Sequence, residues 1–503
     1  MTELNKNGKS DNRSGSAHAR SRDRARLVLV GVLLLGSVAL GAAANRGPEV
    51  VRSPVSSPGL ALPGSPASSA ASLGPVHLSA RLDRGAVQRG GDGVLNLELT
   101  IRADAGAGSG GDAVRVPIDL VVVLDRSGSM AGAPLEYALA SVSELIAALG
   151  PEDRFSLVSY SSDSRVDVPL SQASYAAKTA WSRVLSSLRA QGGTNMARGL
   201  DLANAEVVRL GEAGRAARVI LLSDGHANEG DHSHAGLRAR AAAAVSGEYV
   251  LSTVGVGGGF DEQLMSTLAD AGTGNFYYVR QLAQLSGVFA GEFASARETV
   301  AQALEVSIDP GPGVQILDAA GYPLERTRDG LVRFRPGSLF AGQERRIWLS
   351  FRAETQRLGE QTLGRIWLHF VADGEHRELE LKTPLQFACV EGEKAFRASV
   401  DRAVWGQNLA TEGLNKLKQA MSHSLQKGDV KEARGAYARF RSSALLENAH
   451  YDSEVVEQAL EEAAVMAQEL DAAAAKSPQA RNEFSKKLSE EGLDGRRVGA
   501  KHR

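Results

Sequence analysis

The residues of this chain best suited to chemistry are oxygen donors gathered at three places. Asp125, Ser127 and Ser129 put one carboxylate and two hydroxyls on a single short loop, Asp125-Arg126-Ser127-Gly128-Ser129. Gly192-Gly193-Thr194-Asn195 is a Gly-rich turn that offers the Thr194 hydroxyl, and the apolar run Val219–Leu222 leads through Ser223 into Asp224-Gly225. All of these donors are hard oxygens, which suits Mg²⁺ or Mn²⁺ rather than zinc. Asp and Ser are also turn formers, but a bare turn does not explain the coincidence with Thr194 and Asp224. An EF-hand is a sharper rival, because Asp125, Ser127 and Ser129 fall at loop positions 1, 3 and 5 and Glu136 at position 12. Position 6, however, is Met130 rather than glycine, and the loop follows a strand-like run instead of a helix.

These donors need elements to position them. Ile118–Leu124 is apolar apart from Asp119, the signature of a strand buried on both faces of a parallel sheet. Ligands of open α/β sheets sit at the carboxyl ends of such strands, where Asp125, Ser127 and Ser129 stand. From Ile118 to about Phe289 strand and helix patterns alternate. Strands are expected at Ile118–Leu124, Phe155–Ser161, Val219–Ser223, Tyr249–Val256 and Phe276–Val279, with Val166–Pro169 as a short antiparallel edge. Helices are expected near Leu135–Leu149, Tyr175–Leu188, Met196–Arg209, His234–Ser246, Glu262–Ala271 and Gln281–Phe289. Leu149-Gly150-Pro151 reads as a helix stop and Asp261 as a helix cap.

The sequence D-x-S-x-S, then Thr194, then Asp224-Gly225 after a strand resembles the metal-ion-dependent adhesion site of the von Willebrand factor A family, and the resemblance spans residues 117–289. It implies Ser127, Ser129 and Thr194 as hydroxyl ligands of Mg²⁺ (or Mn²⁺), with Asp125 and Asp224 acting largely through bound water. It also implies an open metal position that takes an Asp or Glu of a protein partner, so the expected job is recognition and not catalysis. Motifs for nucleophilic hydrolysis, zinc proteolysis or nucleotide binding give no convincing match. Gly255-Val256-Gly257-Gly258-Gly259 lacks the Lys-Ser/Thr ending of a phosphate loop and reads as a turn. His226, His232 and His234 read as a mobile polar loop rather than a zinc site. Two alternatives stand beside recognition: a subunit working with an AAA+ ATPase, and a metal-dependent hydrolase using Asp125, Asp224 or His226 as base.

The rest of the 503 residues divides by composition. Residues 1–26 are polar and basic, and Leu27–Ala44 carries no charge. At about 1.5 Å per residue that run is roughly 27 Å long as a helix, close to a hydrocarbon core of ~30 Å. The arginines before it predict a cytoplasmic N-terminus, with the main domains periplasmic or extracellular. A cleaved signal peptide, ending at Ala42 and Ala44 and releasing a secreted protein, is the alternative to a membrane anchor. Residues 45–75, rich in Pro, Ser and Ala, are expected to be a flexible linker. The strand patterns of 76–116 lack partners, and those of 290–390 are expected to supply them as an antiparallel β-sandwich. Three helices are expected over 395–475, with Ser453 capping the third, and 476–503 reads as a disordered tail.

The expected fold class is therefore α/β, a doubly wound, mostly parallel sheet inserted in or flanked by an antiparallel β-sandwich. A C-terminal helical segment and one N-terminal transmembrane helix complete it. Bacterial membrane-anchored A-domain proteins and, more distantly, inter-alpha-trypsin inhibitor heavy chains look similar around the A domain. The net charge of −2 gives no global pull toward nucleic acid, and no small-molecule substrate is expected. The single cysteine, Cys389, reads as a small buried residue.

Overall fold

Apolar runs that read as strands buried on both faces become the centre of a layered α/β domain, and the alternating runs on either side of it become one sandwich. The computed structural model describes residues 66–105, 117–209, 215–247, 249–372 and 374–499. Strands β1 (Ser68–Leu73), β2 (Val76–Leu82), β3 (Ala86–Gln88) and β4 (Val94–Ala103) precede the α/β domain. That domain runs β5 (Ile118–Asp125), α1 (Ala133–Ala148), β6 (Arg154–Tyr160), β7 (Ser164–Gln172), α2 (Tyr175–Ser187), α3 (Met196–Arg209), β8 (Ala216–Ser223), α4 (His234–Ser246), β9 (Tyr249–Val256), α5 (Glu262–Ala271), β10 (Thr273–Val279) and α6 (Leu285–Arg297).

Its sheet has the order β10-β9-β8-β5-β6-β7, parallel except for β7, which lies antiparallel on the edge against β6. Every residue of β5 is buried. Leu120, Val122 and Leu124 face a core shared with α1, α2 and α6, while Val121 and Val123 face one shared with α3, α4 and α5. Covering both faces is what an uninterrupted Val/Leu strand requires. The one charge in it, Asp119, is matched by Arg154 and Arg215, each with Nε 2.7 Å from Asp119 Oδ1. β5 lies between β6 and β8, so its carboxyl end is the topological switch point where such sheets bind ligands.

After α6 the chain forms β11 (Thr299–Pro310), β12 (Val314–Ala319), β13 (Glu325–Arg326), β14 (Val332–Phe340), β15 (Glu344–Ala353), β16 (Gly359–Thr362), β17 (Gly364–Ala372), β18 (Glu375–Glu380) and β19 (Gln386–Val390). β4 pairs antiparallel with β15, Leu95 opposite Phe351 and Leu99 opposite Ile347. The sheets β1-β2-β4-β15-β12 and β13-β14-β11-β17-β18 share one core that includes Leu78, Leu97, Val306, Phe334, Leu349 and Leu368. The flanks of the α/β domain thus build one sandwich, and the domain is inserted between β4 and β11. A small sheet, β16-β19-β3, also joins the two flanks, with β3 parallel to β19.

The flanking segments correct several expectations. The stretch assigned to a linker up to residue 75 contains β1, whose small residues pair in register with β2, Ser68 opposite Arg81 and Leu73 opposite Val76. The stretch assigned to a disordered tail contains a long helix. Following α7 (Glu393–Ala398), α8 (Arg402–Asn408), a π-turn over Leu409–Gly413, α9 (Leu414–Gln426), α10 (Val430–Tyr451) and α11 (Glu454–Lys476) comes α12 (Pro478–Arg496), then a short strand β20 (Arg497–Val498) on β15. Ser477 caps α12, its Oγ accepting from Ala480 N at 3.1 Å. Ser453 precedes α11, but its hydroxyl makes no capping bond. Among the described residues no helix is long and apolar enough to cross a membrane; the expected span Leu27–Ala44 lies outside them.

Candidate metal centre

Asp125 ends β5 fully buried. Both of its carboxylate oxygens are engaged: Oδ1 accepts from Ser127 N at 2.8 Å and Oδ2 from Ser223 Oγ at 2.8 Å. The first bond closes a tight turn and leads into a 3-10 turn over Gly128–Met130. That turn sets Ser127 Oγ 3.0 Å from Ser129 Oγ, and Ser129 Oγ donates to Asp224 Oδ1 at 2.7 Å. The loop after β5 therefore supplies both hydroxyls, and the loop after β8 the Asp224 carboxylate, of one hydrogen-bonded row.

Thr194 reaches the same end of the sheet from the turn before α3. No hydrogen bond joins its hydroxyl to that row. Backbone contacts couple the loops instead, Gly128 N donating to Gly192 O at 2.9 Å and Gln191 N to Arg126 O at 2.8 Å. Thr194 is buried and held by the loop that follows Asp224: its N donates to Asn228 Oδ1 at 2.8 Å, and its carbonyl accepts from Asn228 N at 3.1 Å. The turn needs glycine at 192, whose φ of 73° is left-handed and where a Cβ would lie 3.3 Å from the backbone N of Ser162.

The electrostatics favour a cation. Burial raises the Asp125 carboxyl above its ordinary range, against the hydrogen bonds of Ser127 and Ser223, and the nearby Asp224 adds to the rise. Burial likewise raises Asp224, against the hydrogen bond from Ser129. Arg126 is engaged elsewhere, its Nε donating to Ser159 Oγ at 3.1 Å. Two carboxylates with neutral hydroxyls between them fit a small hard divalent ion in oxygen type and charge.

Sequence reasoning missed three supports. Ser223 holds Asp125, Asn228 holds Thr194, and the fully buried Tyr160 donates its hydroxyl to Leu222 O at 3.0 Å, bracing the end of β8. Asn228 lies in the loop that the histidines had drawn attention to. Two of those histidines approach Asp261 and the third turns to a backbone carbonyl. His234 Nε2 lies 3.1 Å from Asp261 Oδ2, His226 Nδ1 lies 3.9 Å from the same oxygen, and His232 Nδ1 lies against Gly230 O at 3.0 Å. Among the described residues no three His, Cys, Asp or Glu side chains gather as a metal-holding group, so the candidate centre rests on hydroxyls.

Comparison with known proteins bears on the domain and its fold. Residues 119–291 match the family model of the von Willebrand factor type A domain. The chain is 24% identical over 327 residues to an uncharacterized protein of Synechocystis sp., covering 63% of this chain and 76% of that one. It is 30% identical over 196 residues to the uncharacterized protein YfbK of Escherichia coli, 39% of this chain but 34% of YfbK. Inter-alpha-trypsin inhibitor heavy chain H4 of Bos taurus is 29% identical over 150 residues, 28% of this chain and 16% of the heavy chain. The solved structure of a von Willebrand factor type A protein from Catenulispora acidiphila superposes with a TM-score of 0.62 at 17% identity, over 82% of this chain and 96% of that one. The likeness in fold therefore extends beyond the α/β domain into the flanking segments. The chain carries a von Willebrand factor type A domain at residues 119–291.

Proposed function

We propose that the A domain is a metal-dependent protein-recognition module, tethered to a membrane through Leu27–Ala44 on the extracytoplasmic side. Ser127, Ser129 and Thr194 would hold Mg²⁺ or Mn²⁺ through their hydroxyls, with Asp224 beside them. Asp125, whose two oxygens already accept hydrogen bonds, would act indirectly. The bound cation would supply a Lewis-acidic position for an anionic oxygen, which an Asp or Glu of a partner protein provides. The observation that carries this reading is the row Ser127 Oγ–Ser129 Oγ–Asp224 Oδ1, drawn from two loops at the switch point of the sheet.

Calorimetric titration with Mn²⁺ tests it. The parent chain is expected to bind one ion, and Ser127→Ala and Asp224→Ala to lose that binding while keeping their circular dichroism. Partner capture should then require the metal and vanish in EDTA. Capture that survives EDTA and both substitutions refutes the metal-dependent reading. A reporter fused to the C-terminus checks the topology, because a cytoplasmic signal would reverse the proposed orientation.

A further inference from the structure

The turn after β9, Gly257-Gly258-Gly259-Phe260, has no side chain before Phe260 with which to hold itself. Glycine loses more conformational freedom on folding than any other residue, so such a turn is fixed by what packs on it. On one side the backbone of Gly259 rests on the end of β8: a Cβ there would lie 2.9 Å from Asp224 O. On another, the Phe260 ring fills the space over Gly255, where a Cβ would lie 2.3 Å from it. That ring packs on Phe276 and Tyr278 with centroids 6.1 Å and 5.3 Å away.

The third contact comes from α12, far along the chain. Lys486 is buried, and its Nζ donates to Gly258 O at 2.6 Å and lies 3.5 Å from Phe260 O. The ammonium also sits 4.7 Å from the centroid of the Phe260 ring and 3.4 Å from Glu262 Oε1. The helix that carries it is anchored independently. Ser422 Oγ donates to Ser485 O at 2.8 Å and Ser485 Oγ returns a bond to Ser422 O at 3.0 Å. Arg496 Nε donates to Glu412 at 2.9 and 3.0 Å, Arg280 pairs with Glu490 at 2.9 Å, and Arg497 NH2 donates to Asp270 at 2.8 Å.

We propose that Lys486 is a positioning residue for the metal centre, holding the Gly257–Phe260 turn against Asp224 from the C-terminal helix. The inference rests on the reading of Asp224 as part of a metal centre. Asp224 is oriented by Ser129 on one side and by the turn behind its carbonyl on the other. Loosening the turn leaves the donor set intact but less organised, which appears as weaker metal affinity. Residues that orient ligands without touching the metal typically change affinity by about 10- to 100-fold.

The test is Mn²⁺ calorimetry on the full-length chain in detergent, beside hydrogen exchange of the 257–260 amides. Lys486→Met is expected to weaken Mn²⁺ binding roughly tenfold and to speed exchange in the turn, while Lys486→Arg restores part of both. Gly259→Ala, which presses on Asp224 O without touching α12, is expected to weaken binding as well. Lys487→Met, whose parent side chain pairs with Glu469 at 2.9 Å on the helix surface, should bind as the parent does. Parent-like affinity in Lys486→Met overturns the proposal, as does a loss equalled by Lys487→Met. Should Lys486→Met fail to fold, parent-like affinity in Gly259→Ala overturns it. A parent chain that binds no Mn²⁺ refutes the metal-centre reading itself, and the inference falls with it.

Discussion

Replacing Glu292 of α6 offers a demanding test of how the A domain is held together. The side chain is wholly buried and accepts from Arg218 NH1 at 2.8 Å, Ser252 Oγ at 2.7 Å, Asn275 Nδ2 at 2.9 Å and Tyr277 OH at 2.5 Å. Glu292→Leu removes the carboxylate and strands the buried Arg218 guanidinium. Breaking a buried pair in this way costs about 3–5 kcal/mol, which in a domain of this size lowers the melting temperature by roughly 6–20 °C. Replacing both partners, Glu292→Leu with Arg218→Met, removes the stranded charge and should recover much of the loss. The pH dependence has a definite sign. Burial alone would raise the Glu292 carboxyl, but the Arg218 charge and the bonds from Asn275, Tyr277 and Ser252 outweigh it and hold the group below its ordinary value. A depressed folded pKa contributes stability above the unfolded pKa of about 4.3 and loses it as pH falls through the folded value. The gap between the parent and Glu292→Gln should therefore be full at pH 7 and shrink below about pH 4. Urea unfolding followed by circular dichroism reads all of this. A single variant that unfolds at the parent midpoint with an unchanged slope, or a double variant as unstable as the single, refutes the reasoning.

Two further outcomes follow from buried groups. Asp153 accepts from Gly150 N at 2.6 Å, Ile118 N at 3.1 Å and Arg297 NH2 at 2.7 Å, tying the entry of the inserted domain to its exit. Asp153→Ala should cost about 2–4 kcal/mol in urea unfolding, and Asp153→Asn less. The Cys389 thiol is buried, donates to Thr355 O at 3.4 Å and is pushed up by burial. In native protein at pH 8 it should resist thiol reagents, becoming reactive on unfolding; modification of native protein at the rate of an exposed cysteine contradicts that placement.

What the sequence revealed depended on which residues make each contact. β5, β8 and β9 are legible because burial on both faces demands unbroken apolar runs. The exact partnership of β4 with β15 is not, since nothing in Leu95 or Leu97 specifies Phe351 or Leu349 across the inserted domain; the need for partners and the segment 290–390 that could supply them were visible, but not the pairing. β1 is built of small residues and contributes backbone pairing, so its composition reads as linker. α12 escaped because much of what it buries is polar. Ser485, Lys486 and Arg496 are buried beside Phe484 and Leu488, and each is tolerated only because a distant chain segment supplies its partner. The candidate site shows the same division. Asp125, Ser127, Ser129, Thr194 and Asp224 form a pattern, whereas Ser223, Asn228 and Tyr160 act by holding them and have residue types found in any loop or strand.

The placement of these groups separates stability from recognition. Asp153 holds Ile118 N at the start of β5, and Arg218 lies near the start of β8, opposite Leu120 of β5. Asp125 and Asp224 lie at the other ends of those two strands. Lys486 acts on a turn at the carboxyl side of the sheet, braced by a helix outside the domain. Substitutions at Glu292 and Asp153 should therefore lower stability while leaving Mn²⁺ affinity near the parent value under native conditions, whereas Lys486→Met, which also strands Glu262, should weaken Mn²⁺ affinity whatever stability it loses. Such a crossed pattern cannot arise if metal affinity merely follows global stability, because a single underlying variable would move both readouts together. Parallel losses in all three variants would show that the turn and the strands form one cooperative unit, and would remove the physical basis for assigning Lys486 a positioning role of its own.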